Sequence, residues 1–122
     1  MLQAAALLGA AAVLLGAFAA HGLEGRISDQ ALRWFQTGAH YHGWHALALF
    51  GCGLLGRTGR TPRAAAWAFV AGIALFSGSL YAMALTDARW LGAVTPLGGT
   101  AFVVGWLLLL PCCRAPRTAV SG

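Results

Sequence analysis

Apolar residues run through this chain in four long stretches, interrupted only briefly by polar ones. The first covers Met1 to Ala20, the second about Gly38 to Leu55, the third Ala64 to Leu85 and the fourth Trp90 to Cys113. A run of about 18 or more apolar residues is long enough to cross the roughly 30 Å hydrocarbon layer as a helix. Backbone polar groups inside lipid must be satisfied within the segment, so each run predicts a helix. A closed β-barrel would instead show alternating segments of about ten residues, a pattern the sequence lacks. The expected architecture is all-α: an integral membrane four-helix bundle, one four-span domain over residues 1–122, with the tail 114–122 disordered.

The connections fit this division. The first, from His21 to about Thr37, is the longest and most polar. Ser28 or Asp29 is a plausible N-cap there, and Gln30 to Phe35 forms an interfacial helical turn leading into helix two. Trp34, Tyr41 and Trp44 suit an aromatic belt at that membrane surface. Gly56 to Arg63 reads as a tight basic turn, and the third connection centres on Asp87, Ala88 and Arg89. Thr95-Pro96 then reads as an N-cap followed by a first helical position, where proline's missing donor is harmless. A helix from Pro96 to Leu110 would span only about 22 Å. Either Trp90 to Val94 enters the membrane as a kinked or non-helical segment, or the bundle thins the bilayer locally. Helix one repeats small residues as Ala5 with Gly9, Ala12 with Gly16 and Gly16 with Ala20, which predicts close helix packing. Ala17-Phe18-Ala19 resembles a signal-peptidase site, but no basic stretch precedes it and the run exceeds a signal core, so an uncleaved helix is expected.

Composition supports the membrane reading. Hydrophobic residues make up 59% of the 122 and charged residues only 9%, against about a quarter in soluble domains. The basic residues are scattered singly instead of gathered on one stripe, so nucleic acid is not an expected partner. Arg57, Arg60, Arg63, Arg114 and Arg117 share one side of a four-span topology, without an acid. Arg26, Arg33 and Arg89 lie on the other with Glu24, Asp29 and Asp87. Cytoplasmic loops are enriched in Lys and Arg, which puts both termini on the cytoplasmic or an equivalent matrix side. Cys52, Cys112 and Cys113 then lie near reduced ends, where no disulfide is expected, and adjacent cysteines lack the spacer of a zinc site.

Polar groups inside lipid are the candidates for chemistry. At about 100° per residue, Trp34, Gly38, Tyr41, His45 and Cys52 share a face of helix two, with His40 opposite. Val70, Ala74, Ser77, Gly78 and Tyr81 share a face of helix three. If the faces meet, Gly38 and Gly78 leave room for a hydrogen-bonded cluster of His45, Tyr41, Ser77 and Tyr81. Such a cluster serves either as interhelical glue, worth about 0.6 to 2 kcal/mol, or as a ligand or proton site. His45 is expected neutral and bonded to a hydroxyl such as Ser77 or Tyr81. His40, His42 and His45 do not converge on a metal, His21 and His45 lie at different depths for haem, and no acid lies within a span. No metal or cofactor is expected. The leading reading is a non-enzymatic membrane module acting through helix packing, with the lipid bilayer, a second copy or another membrane protein as partner. The alternative is a small transporter or channel-like oligomer with a polar path at the His45 and Tyr41 face.

Three stretches carry a family resemblance. They are Gly16 to Leu23; Trp34 to Gly38 with Tyr41 and His45 to Leu49; and Phe76 to Thr86 followed by Val94 to Gly99 and Gly105-Trp106. Together they resemble the bacterial inner-membrane family called domain of unknown function 423, or uncharacterised protein family 0382, a relative of eukaryotic transmembrane protein 256. The resemblance implies a four-helix protein of the bacterial cytoplasmic (inner) membrane and brings no established activity, substrate or cofactor. It adds His21 and Pro96, beside Thr95, to a candidate polar set that already holds Ser79 and Thr86 as polar groups in and at the end of the third span. Two departures are visible: Ala19 stands where the first motif usually has glycine, and Asp87 where glycine is common.

Overall fold

The computed structural model describes residues 1–60 and 62–113. The tail expected to be disordered lies outside these residues. Four helical rods follow one another: α1 (Leu2–Leu23), α2 (Asp29–Arg57), α3 (Arg63–Thr86) and α4 (Arg89–Cys113). The described residues contain no strand. Three of the rods, α1, α3 and α4, are long and apolar enough to cross a membrane. The second expected span is not among them. Its helix, α2, is the longest at 29 residues, but it carries three histidines and a polar first third. The packing explains this composition: α2 lies against both α1 and α3, so fewer of its positions need to be apolar for lipid.

The helix starts follow local chemistry. Ser28 caps α2, its hydroxyl accepting from the Ala31 N–H at 3.2 Å, and Asp29 adds a negative charge to the first turn, complementing the dipole. The interfacial turn at Gln30 to Phe35 is therefore the beginning of α2 itself, well ahead of Gly38. At α4 the entrance Arg89–Ala93 is a 3₁₀ turn and the α-helix begins at Thr95, with Pro96 in its first turn. Val94 occupies the cap position. Thr95 does not cap, because its hydroxyl is drawn to Ser79 and to the Leu91 carbonyl.

Two π turns break the helical period, one at Ala19–Leu23 ending α1 and one at Ile73–Ser77 inside α3. Each inserts extra arc into the helix and rotates the residues after it. The buried line of α3 runs through Phe69, Ile73, Ser77, Leu80 and Ala84, to one side of the expected Val70, Ala74, Ser77, Gly78 and Tyr81 face. Ala74 is exposed.

Close packing uses the expected Gly38, where a Cβ would meet the Tyr81 ring at 2.9 Å, but otherwise rests on glycines other than those expected. On α1 the buried positions are Ala5, Ala12 and Ala19, one narrow line at seven-residue spacing, and Leu23 at the end of the π turn, because α1 packs on α2 as its one main neighbour. A Cβ at Gly9 or Gly16 would meet nothing within 4 Å, and the same holds at Gly78 nearer than 4.0 Å. A Cβ at Gly98 of α4, by contrast, would fall 2.7 Å from the Phe76 Cα and closer still to its nitrogen. Phe102 of α4 sits over Gly72 of α3, and Phe69 of α3 sits over Gly105 of α4, a reciprocal pair of knobs and holes.

Two apolar clusters result. One gathers Leu49, Cys52, Phe69, Ile73 and Phe102; the other gathers Ala19, Leu23, Ala31, Phe35 and Ala84. Along α2 the segment between them holds His42 and His45.

Candidate functional site: the polar ties between helices

The sequence-predicted cluster does not form as one unit. It divides into three separate ties, each joining two helices. His45, 4% exposed, is the most constrained. Its Nδ1–H donates to the Tyr41 carbonyl at 2.7 Å, and its Nε2 accepts from the Trp106 Nε1–H of α4 at 3.2 Å. A carbonyl only accepts and an indole N–H only donates, so these two partners select the neutral Nδ1–H tautomer. The ring lies flat on Phe102, with centroids 3.4 Å apart and planes 9° from parallel, and Phe69 flanks it at 5.7 Å. The expected hydroxyl partners, Ser77 and Tyr81, are not its partners. Tyr41 contributes its backbone carbonyl, while its ring, partly exposed, packs on Phe76 at 4.7 Å.

Tyr81 is bonded instead to His42, its hydroxyl 3.1 Å from the His42 Nδ1, which ties α3 to α2 one turn earlier. Gly38 makes this possible: a Cβ there would lie 2.9 Å from the Tyr81 ring. Two buried polar atoms nearby, His42 Nε2 and Ser77 Oγ, have no hydrogen-bond partner among the described residues.

The third tie joins α3 to α4. Ser79 Oγ lies 2.7 Å from Thr95 Oγ1, 2.9 Å from the Phe76 carbonyl, and Thr95 Oγ1 lies 3.3 Å from the Leu91 carbonyl. Two hydroxyls own two protons, so two of these three contacts are made at once. The Phe76 carbonyl belongs to the π turn, where the regular ladder is interrupted and a side-chain donor is useful.

The remaining candidates stand apart. His21 is exposed on the π turn ending α1, and Pro96 is exposed at the start of α4. His40 is exposed and lies against Trp44. His42 and His45 reach toward different helices. Sequence reasoning leaves His42, Phe102 and Trp106 out of the polar cluster; the available signal is the three-residue spacing of His42 and His45, which places both on the inner side of α2. Among the described residues, no three His, Cys, Asp or Glu side chains converge on one point.

Against known proteins, the model of the family DUF423, protein of unknown function, matches residues 15–99. The chain belongs to this family. It is 48% identical to the UPF0382 membrane protein YwdK of Bacillus subtilis over 102 residues, covering 81% of this chain and 83% of that one. It is 42% identical to a UPF0382 membrane protein of Haemophilus influenzae over 105 residues, 85% of each chain. No solved structure matches. The family membership and the three long apolar helices make this an all-α membrane protein, and no biochemical role is established for the relatives. Asp87 adopts a left-handed conformation with φ 55°, alone among the described non-glycine residues, a backbone geometry that glycine adopts without penalty. Ala19 is 1% exposed in the cluster with Leu23, Ala31 and Phe35, where its methyl fills core space.

Proposed function

We propose that this chain is a non-enzymatic module of the bacterial cytoplasmic (inner) membrane, whose inner polar groups fix the bundle and whose outer faces meet its partners. One observation carries the reading: both ring nitrogens of His45 are committed, to Tyr41 and to Trp106, while an aromatic ring covers its face. A proton carrier or ligand site needs a nitrogen that can exchange partners. The alternative, a transporter or channel with a path at His45 and Tyr41, would have to break this arrangement at every cycle. In this reading α2 crosses with the other three helices, at about 43 Å for its 29 residues. Both termini then lie on the cytoplasmic side, as the arginine bias favours.

Reconstitution into sealed vesicles tests the reading. Proton and small-ion flux is expected to match that of empty vesicles; flux above that level which His45→Gln abolishes would establish the transporter instead. Reporters fused at the tail and in the Gly56 to Arg63 turn are expected to report the same, cytoplasmic side.

A further inference from the structure

The backbones of α2 and α4 have few close contacts and are bridged mainly by side chains. In the middle of the bundle, His45, Phe102 and Trp106 close that gap. Toward the Arg57 end no side chain of comparable size fills it, because α2 presents Ala48 and Gly51 there. A groove of about 590 Å³ results, walled by Trp44, Leu47, Gly51 and Leu55 of α2 and by Trp106 and Leu109 of α4, and reaching Thr58. From Trp44 to Thr58 the α2 axis advances about 21 Å, more than the depth of one leaflet, about half of the 30 Å hydrocarbon core.

The walls are apolar and the end is cationic. Arg57 is exposed in the last turn of α2. Arg60 donates to the Cys112 carbonyl at the end of α4, three residues beyond Leu109 of the groove wall, and its other N–H groups have no hydrogen-bond partner among the described residues. Between Asp29 and Asp87 the sequence contains no acid, so no acidic side chain neutralises this end among the described residues. A second copy docked face to face by a twofold axis would set arginines against arginines. The occupant that matches both parts is long, apolar and anionic at one end.

We propose that the groove between α2 and α4 holds an acyl chain of an anionic phospholipid, with its phosphate at Arg57 and Arg60. This deepens the module reading, on which it rests, by naming a partner. It also links that partner to the inner ties, because Trp106 presents its ring to the groove and its N–H to His45.

The test uses the full chain reconstituted in phosphatidylcholine vesicles, with tryptophan quenching by added phosphatidylglycerol or phosphatidylcholine carrying brominated chains. Trp44 and Trp106 line the groove, and replacing Trp34, Trp67 and Trp90 by phenylalanine leaves them as the reporters. Half-maximal quenching is expected at about 25-fold lower mole fraction for brominated phosphatidylglycerol, about fivefold for each of the two arginines near the lipid surface. Arg57→Gln is expected to lower that preference about fivefold. Gly51→Leu fills the groove at a position where a Cβ meets nothing within 4 Å, and is expected to fold and to abolish the preference. The smaller Gly51→Ala weakens it in part, which keeps the test valid if circular dichroism shows the leucine variant misfolded. Equal quenching by the two lipids, or a preference that survives Gly51→Leu, overturns the proposal. Cross-linking of two copies that Gly51→Leu abolishes overturns it in favour of a dimer. Ion flux in the vesicle assay bears on the module alone, so the two ideas fail separately.

Discussion

Trp106 of α4 and His45 of α2 are joined by a single hydrogen bond, Nε1–H to Nε2 at 3.2 Å, across two helices whose backbones otherwise have few close contacts. The bond therefore acts as a strut. It holds the α2 and α4 backbones at a fixed spacing and sets the width of the groove beside it.

Removing the strut has a graded effect. His45→Ala leaves the Trp106 N–H without its partner and a void against Phe102, an expected loss of about 2 to 4 kcal/mol. Trp106→Phe keeps most of the packing and is expected to lose about 1 kcal/mol. The double-mutant cycle between them isolates the bond, with a coupling of about 0.6 kcal/mol and no more than about 1.7 kcal/mol. Reversible unfolding in mixed micelles supplies the four free energies; zero coupling would show that the bond contributes nothing.

Gly98 and Gly78 separate close approach from mere presence on a helix. Gly98→Ala forces its methyl into the Phe76 backbone, which cannot move aside as a side chain does. The expected loss is about 3 kcal/mol, at the upper end of overpacking. Gly78→Ala meets only the Ile73 carbonyl, at 4.0 Å, and the gain in helix propensity, about 1 kcal/mol, is expected to leave it neutral or stabilised. Comparing the two melting temperatures decides the matter, and an equal loss in both would contradict the close crossing of α3 with α4.

Ser77 is fully buried, and its hydroxyl has no partner among the described residues. Replacing a buried polar group that lacks a partner by an apolar one of similar shape is nearly neutral or stabilising. Ser77→Ala is accordingly expected to change stability by less than about 1 kcal/mol. Tyr81→Phe, which removes the hydroxyl bonded to His42 Nδ1, is expected to lose about 1 to 2 kcal/mol. Chemical denaturation of the two variants side by side checks the order; a larger loss for Ser77→Ala would mean that its hydroxyl is engaged.

At Asp87 the backbone is left-handed with φ 55°, and the ion pair with Arg89 is exposed on both sides. Glycine takes that conformation without penalty, and exposed pairs contribute little. Asp87→Gly is therefore expected to be at least as stable as the native chain. Asp87→Val, β-branched at positive φ, is expected to lose about 2 kcal/mol. Thermal inactivation half-lives of the three proteins give the ranking, which fails if valine is tolerated.

The apolar runs alone indicate helices near the right places, because length and hydropathy are local properties. Ser28 as a cap and Pro96 in a first turn are equally local, and both are found as the residue types suggest. The partners of His45 and Tyr81 are not local. Their assignment to one cluster assumes an unbroken period of 3.6, which the π turn at Ile73–Ser77 interrupts. The polarity of α2 reflects its place against two neighbours, which no single segment reveals. Gly98 and Gly78 look alike in the sequence, and only the crossing of α3 with α4 distinguishes them.

The π turn within α3 has a consequence for the bundle as a whole. Ahead of it, Arg63 to Gly72 leans mainly on α4; after it, Gly78 to Thr86 leans mainly on α2. The turn acts as a phase shifter, so that one rod speaks to two different neighbours along its length. Shortening it by a single residue would not leave a local defect. It would turn the second half by about 100° and swap the partners of every side chain from Gly78 onward, so insertions and deletions there change the wiring of the bundle while substitutions change only its strength.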